Sequence, residues 1–420
     1  MKKTLIINYQ GMQIGGIEVT FAKLFKYALQ KEYRTIWLTT PNCESQSDFK
    51  DVTDNPKVEK VYVKKGFHWF PHEKIKFSKE EEVVMISCEP LDFARGESIR
   101  EYAQNVNSFN HYLLLPHFTG SAYYPERFFN SKGSQKKWWK VMREFALNLE
   151  ENDCIRGFSL KHLNSYEANY ELVIQNKDDK RIPRVDTAYN IDIAELQKRA
   201  QARKSIFKIV ACSRFDFPHK GFLLGLIDEY AELKKEYSHL ELTIVGYGEG
   251  ENRLKEKISK LPEEISKGIT MTGALSPDEL IECYKTGHLN VGLGGAMATG
   301  ALCGLPSLLV RHYTESCETY GFASEIEGSF LKTDPGFDIK DYIKKVLSAS
   351  DDEYVKMCLS DYKVIEAMNK NEPDYFFNQT RQNKWPVLSK KMISKFKWLN
   401  LISYFKKRFL KQRAYEEKEI

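Results

Sequence analysis

The 420-residue sequence has no apolar run near the roughly 20 residues that span a bilayer, which excludes a membrane-spanning helix as its organising feature. Its first apolar stretch, LIINY at residues 5–9 behind Met1-Lys2-Lys3, is too short for a signal-peptide core and reads as a buried strand. The eight cysteines (43, 88, 154, 212, 283, 303, 317, 358) form no CxxC pair and no metal-ligand spacing. Reduced, mostly buried thiols in a cytoplasmic protein are the simplest reading. HExxH, GxSxG and the Walker lysine motif are absent, so zinc hydrolysis, serine acyl transfer and P-loop chemistry have no support. No Asp-x-Asp offers paired carboxylates to a metal, and a metal-independent reaction is expected. Low-complexity tracts and short-period repeats are missing as well. Between residues 379 and 415 there is no acidic residue at all.

What remains is a globular composition. The hydrophobic fraction is 42%, the aromatic fraction 13% and the net charge a mild +5, and the length suits two to three domains. Short β-branched runs at 3–9, 34–39, 58–63, 82–88 and 111–115 alternate with helical periodicity, as at 17–30. The pattern restarts at 206–212, with further strands at 240–245, 269–272, 289–293 and 307–310 and helices near 223–236, 249–259 and 276–284. Ser276 with Glu279 has capping-box spacing. Such alternation predicts mainly parallel sheets covered by helices on both faces. Ligands then sit at the C-terminal strand ends. The loops at 10–16, 89–95 and 116–120 are placed to line a cleft.

Gly15-Gly16 opens a helix whose N-terminus carries unpaired N–H groups and a positive dipole end, suited to a phosphate or sugar; a tight ligand-free turn is the alternative. Arg214 and Lys220 follow the first strand of the second half. A guanidinium fork and an ammonium beside one loop can hold a diphosphate, although two solvated surface cations would look the same. Gly246-Tyr247-Gly248 is a nucleotide-side turn or simply a βα turn. Gly292-Leu293-Gly294-Gly295 offers further backbone donors, Thr299 a hydroxyl; close helix–sheet packing is the competing explanation. His117, in LLLPHFTG, ends a buried strand and is either a cleft residue or structural. Glu89 and Asp92 are comparable candidates.

The acid-free tail carries Met392, Phe396, Leu399, Ile402, Phe405 and Phe409 at helical spacing, with Lys395, Lys406 and Trp398 among them. A basic amphipathic helix with interfacial aromatics suits an anionic membrane surface; packing of the stripe back on the first domain is the alternative. A second basic-aromatic cluster includes Lys136, Lys137, Trp138, Trp139 and Lys140. Nucleic acid is the competing polyanion, and no motif supports it.

SRFDFPHKG, LTIVGYGEG and GLGGAMATGALCGLP, with GGIE, RIPRVD and LPHFTG more loosely, resemble the motifs of GT-B glycosyltransferases, most like glycosyltransferase family 4, over most of residues 1–350. The resemblance implies two Rossmann-like domains with parallel sheets facing a central cleft. It implies sugar transfer from a nucleotide-sugar with retained configuration and no metal cofactor. Carried over, Arg214 and Lys220 are the donor-diphosphate cations and Gly16 the first-domain glycine near the phosphates. His117 contacts the donor sugar, Gly246 and Gly248 lie beside the base, and Gly304 and Pro306 end the donor motif. The family's two glutamates, eight positions apart, fall on Val291 and Thr299, so both carboxylates are missing.

The expected organisation is an acceptor-side domain at 1–185, a nucleotide-sugar domain at 186–372 and a crossover with membrane-associated tail at 373–420. Catalysis is expected at His117, Arg214 and Lys220. Donor contacts are expected at Gly16, Arg214, Lys220, Gly246, Gly248, Gly294 and Thr299, and membrane contacts at Trp138, Trp139, Lys395, Trp398, Phe405, Lys406 and Phe409. The acceptor would be a lipid-linked oligosaccharide or other membrane-presented glycan, at the inner face of the cell membrane in surface-polysaccharide synthesis. A catalytically silent GT-B partner protein and a nucleotide-sugar epimerase are the rivals.

Overall fold

The computed structural model describes residues 2–13, 15–63, 75–101, 103, 105–115, 129, 131–182, 190–327, 330, 332, 334–368, 375–378 and 387–409, with side chains in the last helix described for 390–399, 401 and 402. It divides into two compact units, Met1–Val185 with Glu372–Ile420, and Asp186–Asn371.

The first unit opens with β1 (Lys2–Asn8), α1 (Gly16–Gln30) and β2 (Arg34–Thr39). Two short helices, α2 (Pro41–Ser45) and α3 (Lys50–Thr53), precede β3 (Val58–Tyr62). Then come β4 (Glu81–Ser87), α4 (Pro90–Arg100), β5 (Ser108–Leu115), α5 (Lys132–Glu151), β6 (Ile155–Gly157) and α6 (Leu160–Tyr170). The sheet order is β3-β2-β1-β4-β5-β6, every pair parallel. The central strands are continuous apolar runs because helices cover both faces: Leu5, Ile6, Ile7, Val83, Val84, Met85 and Ile86 are all buried.

The second unit runs through α7 (Ile193–Ala202), β7 (Phe207–Cys212), α8 (Phe222–Glu236), β8 (Leu240–Val245), α9 (Glu251–Ser259) and α10 (Glu263–Ser266). It continues with β9 (Ile269–Gly273), α11 (Pro277–Lys285), β10 (Leu289–Gly292), α12 (Gly294–Leu302) and β11 (Ser307–Val310). The edge strands β12 (Glu318–Phe322) and β13 (Phe337–Asp338) lead into α13 (Ile339–Ser348) and α14 (Asp351–Met368). The order is β13-β12-β11-β10-β7-β8-β9, parallel except for β12 and β13. α11 starts with the full capping box: Glu279 N–H donates to Ser276 Oγ at 3.3 Å and Ser276 N–H to Glu279 Oε2 at 2.8 Å. The short β13 thus precedes the two helices that close this unit.

The last described elements are α15 (Tyr375–Asn378) and α16 (Lys390–Phe409), both assigned to the first unit. Here the expected membrane stripe is corrected in part. Met392, Phe396 and Leu399 are buried in the core shared with Phe93 and Phe145, and the Phe396 and Phe145 rings lie 5.0 Å apart. The apolar face of α16 covers α4 and α5, because their outward apolar side chains need a further layer. Removing the ring should leave a cavity. Phe396→Ala is expected to destabilise the first unit by about 3–5 kcal/mol in denaturant unfolding.

His288, at the foot of β10, is buried and accepts the Lys208 N–H at Nδ1 over 3.0 Å. Burial, helped by Arg199, holds its pKa down at about 4, from an ordinary value of 6.5. The unfolded chain therefore takes up the proton first, and stability is lost as pH falls from about 6.5 toward 4. Asp361, pushed up to about 6 by burial, works in the opposite direction, so the two must be separated by mutation. At pH 5 the histidine should account for a loss of about 2 kcal/mol relative to pH 7. His288→Asn keeps an acceptor without titrating and should flatten the fall of Tm between pH 7 and pH 5.

Candidate active site

Strand order reverses direction at one place in each sheet, and that is where a parallel α/β sheet opens a crevice. In the second unit the reversal lies between β7 and β10. The loop leaving β7 carries Arg214 and Lys220, and the turn leaving β10 carries Gly294 and Gly295. The fold thus brings these four to neighbouring strand ends.

Arg214 is exposed, and its guanidinium forms no hydrogen bond or ion pair among the described residues. Lys220 is half-buried, its backbone N–H donating to the Asp216 carbonyl at 2.7 Å. The far end of this loop packs on the β11–β12 connection: His219 stacks on Tyr313 with centroids 4.6 Å apart, and Tyr313 N–H donates to the His219 carbonyl at 3.3 Å.

The loop's near end is stitched to the loop after β8. Ser213 N–H donates to Val245 O at 3.0 Å, Phe215 N–H to Tyr247 O at 2.8 Å, and Gly250 N–H to Phe215 O at 2.8 Å. Gly246 and Gly248 permit this approach. They sit at φ +143° and +149°, and a Cβ there would lie 1.8 Å from Ser213 O and 2.8 Å from Phe215 O. Their visible role is to hold the Arg214 loop in place.

Gly294 and Gly295 face open space: a Cβ on either would meet nothing within 4 Å. α12 has no side-chain N-cap, so the N–H groups of Gly294 and Gly295 are available to an anion, while that of Ala296 already donates to Leu293 O at 3.0 Å. Thr299 stands one turn in, but its hydroxyl donates to Gly295 O at 3.0 Å, leaving only lone pairs to offer. Val291, at the other missing-glutamate position, is fully buried. The downstream glutamates do not substitute for them: Glu315 pairs with Arg253 at 2.7 Å, Glu318 with Arg311 at 3.1 Å, and Glu325 with Lys345 at 3.3 Å. Among the described residues no three His, Cys, Asp or Glu side chains form a metal-ligand group.

In the first unit the reversal lies between β1 and β4. Gly16 starts α1 there, where a Cβ would again meet nothing within 4 Å, whereas one on Gly15 would run into the Glu18 carboxylate. The pair of Tyr9 and Glu18 has no sequence signature: Tyr9 OH donates to Glu18 Oε1 at 2.6 Å, and burial with that carboxylate pushes the phenol's pKa up. Asp92 is corrected from cleft acid to buried ion pair, its Oδ1 accepting from Arg95 at 2.6 Å. His117 and most of its LPHFTG segment lie outside the described residues.

The expected membrane residues separate. Trp138 is half-buried and stacks on Phe129 at 5.4 Å, and Trp139 is half-buried with its indole N–H on Asn169 O at 3.4 Å. Trp398 is 64% exposed. Lys395 pairs with Glu144 of α5 at 3.3 Å. The side chains of Phe405, Lys406 and Phe409 lie outside the described residues. No described helix is long and apolar enough to cross a membrane.

No protein-family model matches the chain, and no curated protein matches it in sequence. Solved structures do. Alr3699/HepE of Anabaena, in complex with UDP and glucose, is similar with a TM-score of 0.56 at 16% identity, over 90% of this chain and 100% of that one. A glycosyltransferase from Rickettsia africae gives 0.52 at 14%, over 90% and 99%. The N-terminal domain of a Candida albicans trehalose-6-phosphate phosphatase gives 0.52 at 13%, over 90% and 96%. Identities this low speak for architecture alone: the chain has the fold of the GT-B glycosyltransferases, built from two Rossmann-like α/β units.

Proposed function

We propose that this protein is a glycosyltransferase that moves a sugar from a nucleotide-sugar to a lipid-linked or membrane-presented glycan, in surface-polysaccharide synthesis. The observation that carries the reading is the second unit's switch point, where Arg214 and Lys220 share neighbouring strand ends with the open start of α12. Two cations and a set of N–H donors match what a departing nucleoside diphosphate needs. They neutralise charge that builds as the sugar–phosphate bond breaks, in the place a metal would otherwise take. The proposed reaction is a front-side displacement with retained configuration and no metal. In the first unit Gly16 and His117 are the proposed donor contacts, and in the second Gly246 and Gly248 act by fixing the Arg214 loop. UDP-sugars are the first donors to test, because HepE has been crystallised with UDP.

The membrane side of the proposal rests on surface charge. Lys136, Lys137 and Lys140 on α5 and Lys390 and Lys391 on α16 are exposed, and the Lys395–Glu144 pair joins the two helices near Trp398. This surface suits the anionic inner face of a cell membrane. A second reading, a catalytically silent binding protein, is favoured by the buried Val291 and by the hydroxyl of Thr299 spent within its helix.

A thermal-shift screen against UDP-, GDP-, ADP- and CMP-sugars separates the two readings when paired with a turnover assay. Stabilisation by one nucleotide family with sugar transfer or donor hydrolysis is the expected result; binding without turnover selects the silent reading. Arg214→Ala and Lys220→Ala should each lower turnover by at least about 100-fold, while Tm stays within about 2 °C because neither side chain belongs to the core. In vesicle co-sedimentation, Lys136→Glu with Lys137→Glu and Lys140→Glu should weaken binding to phosphatidylserine-containing vesicles by roughly 100-fold or more, at about 1 kcal/mol per lysine. Binding to neutral vesicles should not change.

A further inference from the structure

Helix α4 carries more charge than a buried helix normally holds. Asp92, Arg95, Glu97 and Arg100 are all under 10% exposed. The helix lies between the sheet and α16, and its charges are paired internally at three-residue spacing: Arg95 with Asp92 at 2.6 Å and Arg100 with Glu97 at 3.5 Å.

From Glu97 a hydrogen-bonded chain crosses three adjacent strands. Glu97 Oε1 accepts from His111 Nδ1 at 2.8 Å, Ser87 Oγ lies 2.9 Å from His111 Nε2, and Asn8 Nδ2 donates to Ser87 Oγ at 2.9 Å. Asn8 also donates to the Asp92 carbonyl. Every donor has one acceptor if the ring is neutral, with its proton on Nδ1 and its lone pair taking the Ser87 hydroxyl. Burial favours that neutral ring, in spite of Glu97. Phe93 stacks on it at 3.8 Å, and Gly96 lets the helix come close, since a Cβ there would lie 2.4 Å from His111 Cε1. Ser, His and Glu are aligned as in a hydrolase, yet Ser87 and His111 have no solvent access. The chain fixes the helix to the ends of β1 and β4.

What the fixed helix then holds is the loop that follows β1. With the Gln10 amide oxygen turned toward α4, it accepts from Arg95 Nη1 at 3.0 Å and Nη2 at 3.2 Å. The base of the loop is tied to β2, where Trp37 Nε1 donates to Tyr9 O at 2.9 Å and Thr39 Oγ1 to Gln10 O at 2.9 Å. We propose that Arg95 is a positioning residue: it acts through Gln10 to hold the loop that presents Gly15 and Gly16 at the first unit's switch point. Its value for donor binding rests on the glycosyltransferase reading, whereas its hold on the loop does not.

Hydrogen exchange of the unliganded full-length protein tests the hold, and donor affinity tests its use. Gln10→Ala leaves the Asp92–Arg95 pair intact. It should raise exchange of the amides at 11–16 by about tenfold, with β1, β4 and α4 unchanged. Gln10→Glu, a charge-assisted partner for the guanidinium, should restore wild-type exchange. Donor Kd should rise at least about fivefold in Gln10→Ala and recover in Gln10→Glu, with Tm unchanged. Unchanged loop exchange in both Gln10→Ala and Arg95→Met would overturn the proposal, as would a loosened loop with unaltered donor affinity. If the wild-type protein binds no nucleotide-sugar, the glycosyltransferase reading fails, and the exchange result alone decides whether Arg95 holds the loop.

Discussion

Everything in this molecule follows from covering both faces of two mainly parallel sheets. Parallel strands need helical crossovers, and the crossovers bury the sheet faces, so the places left for a ligand are the strand ends. In each sheet the order reverses once, between β1 and β4 and between β7 and β10, and there two successive crossovers leave in opposite directions. The glycine-started helices α1 and α12, with Arg214 and Lys220, fall at these two points. Their position comes from topology before any side-chain chemistry is considered, which is why glycine spacing and strand pattern together carry more weight than either alone.

The same covering requirement explains what the sequence hid. Strands such as 82–88 and 240–245 are legible because a doubly covered strand is mostly apolar and rich in β-branched residues, and the Ser276–Glu279 box because it is a local pattern. α4 was not legible as a core element. Residues 89–95 read as a cleft-lining loop, whereas the structure has the helix Pro90–Arg100 there, and nothing local announces that α16, nearly 300 positions later, will cover its outer side. The stripe on α16 was legible as a helix face, but periodicity reports only that a face is apolar, not what covers it. Protein covers Met392, Phe396 and Leu399, which leaves the lysines and Trp398 as the surface features.

Glycine motifs were the most ambiguous signal, and the structure divides them by what surrounds each residue. At Gly246 and Gly248 a side chain would collide with backbone across the loop seam, so packing alone accounts for glycine. At Gly16, Gly294 and Gly295 there is nothing to collide with. At Gly294 the backbone accounts for glycine, since it sits at φ +45°, but neither packing nor a positive φ accounts for Gly16 and Gly295, and a helix start kept bare at a switch point is what a close-approaching anion would require. The distinction cannot be made from GxG spacing, because both kinds of glycine occur in the same motif.

The absent glutamates bear on mechanism through charge. A carboxylate beside a ribose hydroxyl accepts a strong hydrogen bond, but it also adds a negative charge near a diphosphate, which the cations must offset. With Val291 buried in the strand and Thr299 bonded back to Gly295, neither position brings such a charge to the second unit's switch point, and in the proposed reaction no carboxylate from these positions would offset Arg214 and Lys220. In the proposed reaction that arrangement would give up directional ribose recognition while leaving leaving-group stabilisation intact. Transfer chemistry depends on the second far more than on the first, since the charge that grows in the transition state lies on the phosphate. On these grounds the loss of both carboxylates predicts a weaker or less selective grip on the nucleoside, and by itself gives no reason for the reaction to stop.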